Sequence, residues 1–135
     1  VDAFKQSIRL GDLDWEANIA GARHRELSVR SQTTASEDPV LSRTRENRRF
    51  HMALISACPS QWQLRFISTL YDQGERFRRL ALNHAASDPT TTRDDHQEIM
   101  TAAFLRDEKT ATLLLRQHIR SSNEKVMKTL FPSGD

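Results

Sequence analysis

His51, His96 and His118 are the residues of this chain best suited to chemistry, because each falls on the apolar stripe of a different predicted helix. Asn47 lies four positions before His51, so the two side chains leave the same face of one helix. Neutral imidazole is a ligand for Zn, Ni, Mn, Fe or Cu, and an amide oxygen can complete such a set. All four donors would be uncharged. A divalent ion held by them keeps its full positive charge and open coordination positions, and so attracts an anion with a chelating carboxylate. The same pattern is met by three separate interior histidines, each bonded to a backbone carbonyl or a carboxylate. Burial of an unpartnered polar group costs roughly 1–3 kcal/mol, so either arrangement must supply partners. The other two histidines differ: His24 lies nine positions after Trp15, roughly opposite its helix's apolar face, and His84 falls at a helix end.

Six helical patterns must position these residues. Residues 1–10 read as the end of a helix stopped at Gly11, with Phe4 and Ile8 on one face. Asp12 or Asp14 caps a second helix to about Leu27, with Trp15, Ile19 and Ala22 inward, and Ser28–Pro39 reads as a loop. The third pattern runs from about Val40 to Ala57 and carries Phe50, Leu54 and Ile55, stopping before Cys58-Pro59. The fourth runs from about Gln61 to Asn83, with Leu64, Ile67, Tyr71, Gly74 and Arg78 along one side. Asp88-Pro89-Thr90 opens a fifth through His96, Ile99, Ala103 and Phe104 to about Arg106. Asp107 caps the sixth, where Leu115, His118, Ile119, Ser122 and Val126 share a stripe that ends near Phe131. Trp15 and Trp62 are expected in the core. The fold class is all-α: an antiparallel bundle of about six helices.

Composition agrees. The chain has 135 residues, enough for one domain, and only four glycines and four prolines, too few for an all-β sandwich. No apolar run approaches the roughly 20 residues of a membrane span, and Val1-Asp2-Ala3-Phe4-Lys5 does not read as a signal peptide. The single cysteine, Cys58, excludes an internal disulfide and suits the cytoplasm. A net charge of +2 with mixed signs is no nucleic-acid-binding stripe, so Arg43, Arg45, Arg48 and Arg49 read as solvated helix surface. Arg48 is the one placed to reach a pocket mouth. The absence of an initial methionine points to a fragment.

Asn47-Arg48-Arg49-Phe50-His51-Met52-Ala53-Leu54 resembles the Asp/Asn-x-x-Phe-His-x-x-Leu motif of the FCD domain, the FadR-type C-terminal effector domain of GntR-family bacterial transcription regulators. Asp95-His96-Gln97-Glu98-Ile99 is similar to its Glu-His-x-x-Ile motif, and Asp107 to Ala111 followed by His118-Ile119 to its closing segment. Ser7 to Glu16 and Tyr71 to Arg79 resemble one branch of the family, so the likeness covers nearly the whole chain. It implies a bundle around a central cavity, with a divalent metal (Zn first, Ni or Mn next) held by Asn47, His51, His96 and His118. Aspartate is common at the first position, and asparagine here removes an anionic ligand.

The resemblance further implies a small organic acid bound beside the metal, shifting the geometry of a homodimer. Arg78 and Tyr71 share the inward face of the fourth helix with Gly74, and Arg76 and Arg79 flank it. An arginine fork matches a carboxylate, which makes Arg78, Arg76, Arg79, Tyr71 and Arg48 the expected effector contacts for a dicarboxylate or hydroxy acid. Each arginine is equally suited to an exposed position or to an ion pair with Asp72, Glu75 or Asp94. No winged helix-turn-helix occurs in this chain, so operator DNA would be reached only through a preceding domain of a dimeric repressor or activator, and the first helix would be truncated. Two other classes fit less well. One is a metal-free helical dimerisation domain. The other is a small helical metalloenzyme, for which neither Glu-x-x-His pairs nor His-Glu-x-x-His is present.

Overall fold

Aspartate begins most of the helices. Asp12 accepts from the Trp15 amide at 3.0 Å, Asp38 from Val40 at 2.9 Å, Asp94 from Gln97 at 3.2 Å and Asp107 from Thr110 at 3.0 Å. Each carboxylate satisfies an amide that the first helical turn leaves without a partner. The structure, a computed structural model, describes residues 1–31, 38–84 and 94–132, and of residues 82–84 the backbone alone. The helices are α1 (Asp2–Leu10), α2 (Leu13–Ser31), α3 (Pro39–Leu54), α4 (Gln61–His84), α5 (Asp95–Phe104) and α6 (Glu108–Leu130). Among the described residues there is no strand, and no helix is long and apolar enough to cross a membrane.

α2 and α3 pack antiparallel. The Trp15 indole, at the start of α2, donates to the Leu54 carbonyl at the end of α3, at 3.3 Å. α1 runs antiparallel to α6, with Arg9 at its C-terminus bound to Glu108 at 2.6 and 2.8 Å. α5 and α6 form a hairpin, and α4 lies against α3 and α6. Phe4, Ile8, Trp15, Ile19, Phe50, Leu54, Ile99, Ala103 and Leu115 are buried in one core. Gly11 ends α1 in extended conformation. A β-carbon there would lie 2.3 Å from the Trp15 ring, so the close approach of that ring is what requires glycine. Between α5 and α6, Arg106 takes a left-handed conformation, φ 59°. Its guanidinium is anchored on the Ile8 carbonyl (2.8 Å) and Glu16 (2.7 Å), and lies 5.0 Å over the Trp15 ring.

Several expectations need correction. α2 continues to Ser31, four residues past Leu27; of the rest of the expected loop, residues 32–37 lie outside the described residues, Asp38 caps α3 and Pro39 begins it. α3 stops at Leu54, and residues 55–57 form a turn with three-residue bonds such as Ile55 N to Met52 O. The expected opening of the fifth helix at Asp88-Pro89-Thr90 is also outside the described residues, as is the His84 side chain; the described helix starts after Asp94. Trp62 is not in the core but 81% exposed, since it shares an outward stripe of α4 with Phe66, Leu70, Phe77 and Leu80. Ile119 is exposed too, because the inward line of α6 passes through Leu115, His118, Ser122 and Val126.

Candidate metal centre

His51 comes from the last turn of α3, His96 from the first turn of α5 and His118 from the middle of α6. Each offers a ring nitrogen, and these three atoms lie within 4.8 Å of one another. His96 Nε2 and His118 Nε2 are 3.1 Å apart. His51 stacks on His118 with ring centres 5.3 Å apart and meets His96 edge-on at 5.0 Å. Phe50 lies parallel to His96 at 4.4 Å and fixes the plane of that ring.

Carboxylates hold the far sides of two rings. His96 Nδ1 is 2.6 Å from Glu26 Oε1, and His118 Nδ1 is 3.2 Å from Asp95 Oδ2. Glu26, from α2, is itself buried and accepts from Arg23 at 2.6 Å. Arg23, only 2% exposed, reaches on to Asp94, the cap of α5.

This arrangement fits a cation. When both rings are neutral and their Nδ1 atoms donate to carboxylates, both Nε2 atoms carry lone pairs. Two lone pairs facing at 3.1 Å repel unless a proton or metal ion lies between them. Two nitrogens bound to one Zn at 2.0–2.1 Å in tetrahedral geometry are about 3.3 Å apart, close to the observed separation. His51 completes the three-imidazole set.

The electrostatics favour uncharged rings at His51 and His118. Burial, then the positive charge that His96, His118 and Arg78 would present, holds His51 well below the ordinary imidazole range. Burial and His96 also lower His118, with Asp95 opposing them. Burial works against ionisation of Glu26, but its bonds to His96 and Arg23 outweigh that and keep the carboxyl below its ordinary value.

Asn47 is half-buried, and its Oδ1 accepts from the Tyr71 hydroxyl at 2.5 Å. The Tyr71 ring lies 5.7 Å from His51, and burial raises its hydroxyl to about 12, so it stays a donor. Arg78 folds back along α4, with its guanidinium 4.1 Å over the Tyr71 ring and donating to the Tyr71 carbonyl at 2.9 Å. A β-carbon at Gly74 would sit 3.1 Å from Arg78 Nη1 and would shift the guanidinium by a few tenths of an ångström. Arg48 is bound to Asp72 and Ser68, each at 2.7 Å. Arg76 and Arg79 are exposed on the outer side of α4, and the structure does not bring them to the histidines. A groove of about 360 Å³ between α2 and α3 is lined by Arg48 alone of the expected effector contacts, and one of about 650 Å³ beside Val1 and α6 by none of them.

Glu26 and Arg23 escaped the sequence reading although a signal was there. Glu26 continues the apolar line Trp15, Ile19, Ala22 at helical spacing, and a charged residue on a buried stripe must have a partner inside.

Comparisons with known proteins identify the family of the chain. The family description of the FCD domain matches residues 17–121. An uncharacterized HTH-type transcriptional regulator, BphR of Paraburkholderia xenovorans (strain LB400), is 42% identical over 123 residues, covering 90% of this chain and 49% of that protein. The HTH-type transcriptional repressor GlaR of Escherichia coli (strain K12) is 28% identical over 116 residues, covering 84% of this chain and 52% of that protein. The chain spans about half the length of the curated relatives it matches. No solved structure matches it significantly.

Proposed function

The chain belongs to the FCD domain family, and on that premise we propose that it is the effector-sensing domain of a GntR-type transcription regulator, acting by regulation and not by catalysis. His51, His96 and His118 would hold a divalent metal, Zn in the first instance, with Asn47 Oδ1 as the fourth donor. The observation that carries this reading is the 3.1 Å approach of two Nε2 atoms whose rings are each turned to a carboxylate on the other side. Bound there, the ion supplies a positive centre beside the inward face of α4.

A small carboxylic acid, a dicarboxylate or hydroxy acid, is the proposed effector. Arg78 would receive its carboxylate. Among the described residues its acceptor is the Tyr71 carbonyl, which an anion can replace with a charge-assisted, two-pronged contact. Tyr71 would then be freed to turn with it. Arg48 lies at the mouth, already paired with Asp72, and would steer the acid rather than bind it. An acid shifts the regulator only through its different affinity for two conformations. DNA would be bound through the half of a longer regulator that this chain does not span, in the cytoplasm.

A homodimer is the proposed assembly. Trp62, Phe66, Leu70, Phe77 and Leu80 form an exposed apolar stripe along about 27 Å of α4, a surface monomers seldom leave bare. Phe66→Glu with Leu70→Glu should convert a dimer to a monomer by sedimentation. The test of sensing is elemental analysis of tag-free protein, with thermal-shift titration of C4–C6 dicarboxylates and hydroxy acids before and after chelation. Stoichiometric metal, and acid stabilisation lost on chelation and in Arg78→Ala, are expected. Metal-free protein that gains no stability from added Zn would overturn the reading.

A further inference from the structure

We propose that Glu26 is a positioning residue for the metal centre: it fixes the tautomer of His96 so that Nε2 faces the other two rings. The inference rests on the histidine cluster being a metal site, and concerns a residue on α2, a helix that contributes no ligand. His96 is 4% exposed and clamped on two sides, by Phe50 across its face and by the 2.6 Å contact of Nδ1 with Glu26 Oε1. An ionised carboxylate can only accept, so the neutral ring must carry its proton on Nδ1 and leave its lone pair on Nε2. A carboxylate behind a ligand imidazole also makes the ring a better donor.

Arg23 keeps Glu26 in this role. Its guanidinium binds Glu26 Oε2 at 2.6 Å and spans to Asp94 at the cap of α5, two residues before His96. The pair therefore fixes the carboxylate and the start of the helix that carries the ring. Among the described residues Arg23 Nε is buried without a partner, and Arg30 is a more distant second cation at 3.6 Å from Glu26 Oε1. Such a buried charge pair is costly to assemble for stability alone, and aligning a ligand explains its presence.

The test compares wild type with Glu26→Gln and Glu26→Asp. Glutamine can present either an oxygen or an amide to Nδ1 and so no longer dictates the tautomer. Aspartate keeps the charge for Arg23 but is one methylene too short to reach the ring. Zn affinity by chelator competition is expected to fall 10- to 100-fold in both, with helix content retained. Nitrogen-15 shifts of metal-free protein should show His96 protonated on Nδ1 in wild type and mixed in Glu26→Gln. An affinity within twofold of wild type in a folded variant, or a wild-type His96 protonated on Nε2, overturns the proposal. If wild type binds no Zn the functional reading falls, while the tautomer measurement still decides the role of Glu26. If Glu26→Gln does not fold, Glu26→Asp decides it.

Discussion

His96 and His118 point their Nε2 atoms at each other across 3.1 Å, with Glu26 and Asp95 behind them. That arrangement calls for a proton or a metal ion between the two nitrogens, and three imidazoles within 4.8 Å are suited to a metal. Ligand binding to the folded state at a concentration a hundred times its Kd adds about 2.7 kcal/mol of stability. Zn should therefore raise the unfolding midpoint by several degrees in wild type, and His118→Ala should abolish the rise. A His118→Ala protein stabilised as strongly as wild type would remove that ring from the ligand set.

The metal-free protein should lose stability as pH falls below about 6.5. His51 and His118 titrate lower in the fold than in the unfolded chain, so the unfolded chain takes up protons first. Their contribution is complete above the unfolded value near 6.5 and declines as pH drops through their folded values. Urea midpoints in chelator between pH 8 and 5 measure this, and His51→Gln should flatten the curve. A midpoint that rises on acidification in this interval would contradict the assignment.

Asn47→Asp should tighten Zn binding by tenfold or more, because a carboxylate adds an anionic donor beside three neutral ones. In chelator the same variant should be no more stable than wild type, since the Tyr71 hydroxyl already satisfies the amide oxygen at 2.5 Å. Tyr71→Phe in turn should cost about 1 kcal/mol, the worth of one partly buried hydrogen bond. Competition with a chromogenic chelator and denaturant titration separate the two effects.

Arg106→Ala should be more destabilising than Arg106→Gly. Both lose the anchors on Ile8 and Glu16 and the stacking over Trp15. Glycine alone relieves the left-handed strain at φ 59°, worth about 1 kcal/mol. Thermal midpoints of the two variants give the comparison, and equal midpoints would show that the backbone at this turn relaxes freely.

Much of this was legible in the chain. Helical spacing placed His51, His96 and His118 on inward faces, and acidic caps located the starts of α2 and α6. The inward line Leu64, Ile67, Tyr71, Gly74 and Arg78 was legible in the same way, whereas Trp62, which lies off that line, was assigned to the core on its residue type and is exposed. Nor could spacing show that Glu26 meets His96, 70 residues away. Such a pairing depends on how α2 lies against α5, a matter of tertiary packing with no local signature.

The three rings hang from α3, α5 and α6, and a fourth helix, α2, braces one of them. An ion at their meeting point would thus act as a rivet, tying positions 51 and 118 into one closed loop of the chain. Its departure would loosen distant segments in concert, and amide hydrogen exchange should quicken together in helices that share no sequence. A sensor built this way reports the state of a single atom as the stiffness of its whole body.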